Sequence, residues 1–111
     1  MEDEPELHLD LWWVFGVPSS DGQGQDHHIN GFVIPGFYGK VSTKIVSFDP
    51  EKRVAITSTG RKYFLSGRQG VNNDALHVFQ KWLEIAGLAE AEVEDVTAQY
   101  LPKKEPANAT R

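Results

Sequence analysis

The alternation of side chains between Leu7 and Val17 is the feature that most constrains the fold. In the segment "LHLDLWWVFGV", large apolar residues recur at every second position, which places them on one side of an extended chain. His8, Asp10 and Trp12 point to the other side of the same chain. This period predicts a long β-strand with at least one buried face.

Four further segments are typical of short strands. Residues 29–34, 41–49, 53–59 and 61–66 are rich in β-branched and aromatic residues and are separated by turn-forming sequences. Residues 92–101 alternate again, with Val96, Ala98 and Tyr100 on one side, and predict a sixth strand. Because the connections are short, we expect neighbouring strands to pair in an antiparallel meander.

The period changes to that of a helix after Asn72. Asn72 suits a helix N-cap, and Gly87 suits the residue that ends a helix. The apolar stripe between them is expected to face the sheet, and it comprises Ala75, Leu76, Val78, Phe79, Trp82, Leu83, Ile85 and Ala86. This pattern predicts one α-helix over about residues 73–86.

Together these elements predict an α+β fold. We expect a bent antiparallel β-meander or small barrel of five to six strands, with the α-helix packed on it. A chain of 111 residues suits one domain. Residues 7–101 are predicted to form it, between an acidic disordered tail, residues 1–6, and a disordered C-terminal tail, residues 102–111.

The net charge of -5 conceals a basic middle segment. Residues 1–39 contain seven acidic residues and no Lys or Arg, whereas residues 40–81 contain eight basic residues and three acidic ones. Either the segments neutralise one another in the fold, or the basic segment forms a surface for an acidic partner. The sequence leaves both interpretations open.

Composition restricts the compartment and the chemistry. The chain has no cysteine, which excludes disulfides and thiolate metal sites. The acidic N-terminal segment lacks the basic region of a signal peptide, and there is no run of about 20 apolar residues. We expect a cytoplasmic protein without membrane contact or a cofactor. The stretch 40–87 resembles small proteins of bacteria and their phages, and this resemblance implies no activity or site.

The segment "TSTGRKYFLSGRQG", residues 57–70, contains two Gly-Arg pairs. It does not match the phosphate-binding P-loop, because no Lys-Ser/Thr pair follows the second glycine. A glycine-rich loop before a helix can bind an anion, with Arg68 beside it, but Asp74 would oppose this. We expect Gly60 and Gly67 mainly to turn the chain.

Neither a metal site nor a catalytic site is expected. The cluster Asp26–His28 with His8 or His77 has ligand chemistry, but adjacent strand residues point to opposite sides. We therefore expect solvent-exposed loop histidines. No segment resembles the nucleophile motif G-x-S-x-G, so the protein is not expected to be an enzyme.

Four aromatic residues are candidates for partner binding. Phe37 and Tyr38 occupy a glycine-bracketed turn, where side chains commonly stay exposed. Trp12 and Phe64 are buried if a rolled sheet covers both of its faces, and otherwise they join an exposed aromatic surface. Exposed aromatic groups of this kind mark protein contacts.

These features support three hypotheses for function. The first is a noncatalytic interaction domain that binds a protein partner through an aromatic-bearing sheet face or edge. The alternative is a small nucleic-acid-binding β-barrel that uses a set of basic side chains, namely Lys40, Lys44, Arg61, Lys62 and Arg68. The third is an acidic inhibitor of a nucleic-acid enzyme, in which carboxylates take the place of phosphates.

Overall fold

The computed structural model describes residues 6–19 and 21–101, which form one helix packed on a mixed sheet of seven strands. The strands are β1 (Leu7–Pro18), β2 (Gln25–Ile34), β3 (Tyr38–Val41), β4 (Ile45–Asp49), β5 (Val54–Thr57), β6 (Lys62–Phe64) and β7 (Glu94–Asp95). The helix α1 is Asn73–Ala86, and 3₁₀ turns lie at Glu90–Glu92 and Thr97–Tyr100. Apart from Glu6, the predicted tails 1–6 and 102–111 lie outside the described residues.

The sheet consists of two antiparallel units joined by a parallel pair. Its strand order is β3-β2-β1-β6-β5-β4, and β7 pairs with β1. The parallel pair is β1 with β6, where Leu7 lies opposite Tyr63 and His8 opposite Phe64. The predicted α+β fold is confirmed. The sheet is not closed into a barrel, and it has seven strands because the predicted strand 41–49 is divided in two.

The predicted strand 41–49 is interrupted at Ser42. The Ser42 hydroxyl accepts a hydrogen bond from the Ile29 N–H at 2.9 Å and donates one to the Thr43 carbonyl at 2.7 Å. The Ser42 N–H also donates to the Ile29 carbonyl at 2.9 Å, and beyond this point the chain leaves β3 and enters β4 at the opposite end of the strand order.

The predicted strand 92–101 is wrong over most of its length. Thr97–Tyr100 forms a 3₁₀ turn instead. The turn is bonded to β1, because the Thr97 hydroxyl accepts from the Val14 N–H at 3.0 Å. Only Glu94 and Asp95, just before this turn, pair as a strand with β1.

A β-bulge interrupts the alternation in β1. Asp10 pairs with Phe32 and Trp13 with Asn30, so Leu11 and Trp12 together lie opposite the single residue Gly31. Leu11 takes a left-handed backbone conformation with φ 49°. The extra residue moves Trp12 to the same side as Leu9, and both belong to one buried cluster. The uninterrupted alternation predicted for this strand is therefore wrong beyond Asp10.

The bulge lets β1 contribute to two hydrophobic cores. The inner core lies on the side of the sheet away from the helix and comprises Leu9, Trp12, Val14, Ile29, Val33, Ala55, Tyr63, Leu65 and Val96. The helix-side core comprises Phe15, Val17, Phe79 and Leu83. Both faces of the second half of β1 are consequently covered.

Helix α1 begins and ends where the sequence predicts. The Asn72 side chain accepts from the Ala75 N–H at 3.0 Å, and Gly87 ends the helix with φ 73°. The helix packs on β2 and β3. Its buried stripe follows Ala75, Phe79 and Leu83, so the expectation that Ile85 and Ala86 are buried is wrong. Within the described residues, α1 is too short and polar to cross a membrane.

Candidate functional site

One row of side chains runs across five strands on the part of the sheet that α1 leaves uncovered. His8 pairs with Ile34 on one side and with Phe64 on the other. Phe64 pairs with Val54, and Val54 with Asp49. Directly paired residues point to the same side of a sheet, so these five side chains share one surface. We call this surface the open face, and its members are Ile34, His8, Phe64, Val54 and Asp49.

The centre of the open face is held by a ring contact. The rings of His8 and Phe64 stack with centroids 4.6 Å apart and an interplanar angle of 14°. Phe64 is half-buried and His8 is exposed, while Ile34 remains 36% exposed. Two concave regions adjoin this contact, one lined by His8 and the other by Phe64.

The first concave region, which we call the arginine cleft, has a volume of about 570 Å³. Its lining comprises His8, Leu9, Asp10, Ile34, Arg53, Ser66, Gly67 and Arg68. Two guanidinium groups, one carboxylate and a hydroxyl thus meet the aliphatic side chains of Leu9 and Ile34. This is the chemistry of a site for an anionic group attached to a hydrocarbon chain.

The carboxylate of the arginine cleft holds the loop after β6 against β1. Asp10 Oδ1 accepts hydrogen bonds from the backbone N–H of Arg68 at 2.7 Å and of Leu11 at 2.9 Å. Asp10 Oδ2 lies 3.6 Å from Nη2 of Arg68. The bond from the Arg68 N–H is the main cause that holds the pKa of Asp10 below its ordinary value, and it outweighs the opposite effect of burial.

Gly67 is required by this contact, because a Cβ atom there would lie 2.7 Å from the Cα of Asp10. The loop therefore approaches β1 more closely than any other residue type would allow. The prediction that glycines turn the chain holds for Gly60, which has φ 90°. At Gly67 close packing is the reason instead.

The second concave region, which we call the lysine groove, has a volume of about 490 Å³. Its lining comprises Ser47, Phe48, Asp49, Lys52, Val54, Ile56, Lys62 and Phe64. Phe64, Val54 and Ile56 form its apolar floor on β5 and β6, and two lysines stand among the lining residues. The Asp49 carboxylate accepts from the backbone N–H of Glu51 at 3.0 Å, so it already serves the turn after β4.

The structure separates the four predicted aromatic residues. Phe64 lies on the open face, and Phe37 is 68% exposed with its ring 6.2 Å from that of Phe32. Phe32 pairs with Asp10, on the same side of the sheet as the open face. Tyr38 pairs with Val33 of the inner core and so lies on the opposite side. Of the two alternatives for Trp12, the structure has the buried one: the bulge turns Trp12 into the inner core, so it is not available to a partner.

The five predicted basic residues do not share one surface. Lys62 lines the lysine groove and Arg68 the arginine cleft. Lys40 pairs with Gly31 and therefore lies on the opposite side of the sheet. Lys44 lies in the link between β3 and β4, and Arg61 in the turn before β6. Two of the five thus stand beside the open face.

The histidines of the segment Asp26–His28 belong to β2, so their expected place in an exposed loop is wrong. His28 is buried between the rings of Phe15 and Trp82, and its Nδ1 donates to the Ser42 carbonyl at 2.9 Å. Burial is the main cause that lowers the pKa of His28. Within residues 6–19 and 21–101, no group of three potential ligands comes close enough to hold a metal ion.

Most residues of the site were missed by the sequence interpretation, among them His8, Ile34 and Arg53. His8 and Asp10 share one side in the alternation of β1, and this was the available signal for an open, polar surface. Arg53 follows a tight turn, and nothing in the local sequence indicates that it faces Arg68 across a cleft. No protein-family model, curated protein or solved structure matches the chain, so the site is interpreted from its own residues.

Proposed function

We propose that the protein is a noncatalytic interaction domain whose open face binds an extended segment of a protein partner. The observation that supports this is the continuous row from Ile34 to Asp49, which crosses five strands without cover from α1. Half-exposed apolar side chains at the centre of such a row, with charged groups around them, have the anatomy of a protein contact surface.

The dimensions of the open face suit a short peptide segment. Neighbouring strands lie about 4.8 Å apart, so a row across five strands spans roughly 19 Å. An extended chain covers about 3.3 Å per residue, and about six residues fill that length. A segment that crosses the strands places apolar side chains on Ile34 and Phe64 while its ends reach the arginine cleft and the lysine groove.

The charges beside the open face favour an acidic segment. Lys52 and Lys62 line the lysine groove, and Arg53 and Arg68 line the arginine cleft. Opposite these four cations, the linings hold two carboxylates that already accept backbone hydrogen bonds. Complementary charge of this kind guides the encounter of partners and selects among them.

Selection from a library of random peptides displayed on phage, with the full chain immobilised, tests this proposal. We expect enriched peptides to combine large apolar residues with Asp or Glu. Their affinity should fall at least tenfold, about 1.4 kcal/mol, for Ile34→Ser. Ile85→Ser is the matched control, because Ile85 is equally apolar and 87% exposed on α1. Equal loss for both variants, or no enrichment, would contradict the proposal.

A single-stranded oligonucleotide provides the contrasting ligand. Titration is followed by amide shifts at low salt and at about 200 mM salt, where binding through phosphates weakens steeply. If the oligonucleotide binds the Lys62 and Arg68 region in a salt-sensitive way and peptides do not, the nucleic-acid alternative replaces the proposed function.

A further inference from the structure

The arginine cleft carries an unbalanced positive charge. Leaving His8 aside, its lining holds two guanidinium groups and one carboxylate. That carboxylate, on Asp10, is paired with Arg68 at 3.6 Å and accepts two backbone hydrogen bonds through its other oxygen atom. The charge of Arg53 therefore remains in excess within the cleft.

Arg53 is held in place by its backbone. Its N–H donates to the Asp49 carbonyl at 2.7 Å, and its carbonyl accepts from the Leu65 N–H at 2.9 Å. Its φ of 59° lies in the left-handed region, as the tight turn after β4 requires. Because both backbone groups are fixed, the side chain starts from one defined position at the wall of the cleft.

The guanidinium group of Arg53 is partly desolvated and incompletely bonded. Its Nε is buried and has no hydrogen-bond partner among the described residues. A partly desolvated guanidinium group gains more from an anion than a hydrated one does, and its planar terminal nitrogens match the two oxygen atoms of a carboxylate. Arg53 is thus prepared to bind a ligand group.

We propose that the arginine cleft is a carboxylate-binding subsite in which Arg53 binds the carboxylate and Arg68 assists it. The net charge of one favours a monoanion over phosphate, since the Asp10 carboxylate would repel a second negative charge. Leu9 and Ile34 accommodate the hydrocarbon chain that bears the carboxylate. The inference rests on the proposed function in one respect, that the carboxylate belongs to an acidic side chain or the C-terminus of the bound segment.

Small probes test the subsite directly on the full, isotope-labelled chain. N-acetylglutamate amide supplies a side-chain carboxylate, and N-acetylleucine supplies a terminal one. We expect one or both to shift the amides of Ser66, Gly67 and Arg68 with a dissociation constant on the order of a few millimolar. N-acetylglutamine amide, which is neutral, and inorganic phosphate should bind at least fivefold more weakly. Equal binding of the neutral probe would overturn the proposal.

Variants of Arg53 test whether this side chain binds the carboxylate. Arg53→Gln should weaken the carboxylate probes at least fivefold, and Arg53→Lys should restore part of the loss, because it keeps the charge but not the planar pair of donors. Lys81→Gln, which removes an exposed cation on α1 away from both concave regions, is the matched control. Unchanged amide spectra elsewhere establish that each variant is folded. Equal effects of Lys81→Gln and Arg53→Gln would contradict a defined subsite.

The outcomes separate this proposal from the proposed function. If library peptides bind the wild-type chain and Arg53→Gln equally well, and the carboxylate probes do not bind, the subsite is wrong and the interaction domain stands. If the carboxylate probes bind through Arg53 but no peptide is selected, the subsite stands and the proposed function is wrong.

Discussion

The two ends of one sheet surface differ in how they are covered. At the end near Phe15, helix α1 covers the surface, and Phe15 contacts Phe79 and Trp82 with ring centroids 4.9 Å and 5.3 Å away. At the end near His8, the same side of β1 forms the open face. Both ends carry aromatic rings on β1, but only the end near Phe15 has a covering element in the described chain.

The two ends also differ in how completely their buried polar groups are hydrogen-bonded. Under the helix, the Asn30 side chain is fully buried and completely used: it accepts from Nε1 of Trp13 at 2.8 Å and donates to the carbonyls of Lys40 and Ala75. In the arginine cleft, Nε of Arg53 has no partner among the described residues. The covered end is complete within the fold, whereas the open end retains capacity for a ligand.

Removing one aromatic ring at each end should give the largest difference in stability between the two ends. Phe15→Ala removes a fully buried side chain and leaves a cavity, so we expect a loss of about 3–5 kcal/mol in the free energy of unfolding. Phe37→Ala removes a ring that is 68% exposed and should change stability by less than about 0.5 kcal/mol. Urea denaturation measures both. Similar losses would show that the open end is as well packed as the covered end.

A methyl group placed beneath the helix should have the next largest effect. A Cβ at Gly39 would lie 2.5 Å from the Cα of Ala75, so Gly39→Ala must push the first turn of α1 away from β3. We expect a destabilisation of about 1–3 kcal/mol, as for other overpacked positions. Gly16→Ala is the control, because there the new Cβ meets only the flexible side chain of Gln25. Thermal unfolding of both variants tests the expected order.

Acidification should weaken the covered end selectively, and this is the smallest of the three effects. The pKa of His28 is lowered by burial, against the opposing influence of the Ser42 carbonyl and Asp26. The unfolded chain therefore takes up a proton more readily than the folded chain. Stability present above the ordinary pKa of 6.5 is lost as the pH falls below it.

Urea titrations at about pH 7 and about pH 5 measure the slope of the free energy of unfolding against pH. His28→Gln should flatten it, whereas His77→Gln, at an exposed position on α1, should leave it unchanged. An unchanged slope in His28→Gln would show that other groups control the acid response.

The elements that depend on local sequence were predicted well. The bounds of α1 follow from Asn72, Gly87 and a helical period, all of which act within a few residues. The predicted strand 92–101 ends at Asp95, and this end did not follow from its alternation, because the Thr97 side chain bonds to Val14 in β1. This contact joins residues that are 83 positions apart, so it cannot be predicted from a local sequence pattern.

The candidate site was predicted only in part for the same reason. Phe64 and Lys62 were predicted as binding residues for two alternative functions, and in the structure both line the lysine groove. The pairing of Arg68 with Asp10 and the parallel contact of β1 with β6 depend on how distant segments meet. The site consists of such contacts, so its geometry could not be obtained from any single stretch of sequence.

The bulge at Leu11 and Trp12 acts as a phase shift within β1. Strand residues alternate with a period of two, so deletion of one residue there would exchange the inward and outward sets for half of the strand. With the extra residue present, each half keeps its own phase. The bulge thus allows His8 and Phe15, which are an odd number of positions apart, to lie on the same side of the sheet, one on the open face and the other under the helix.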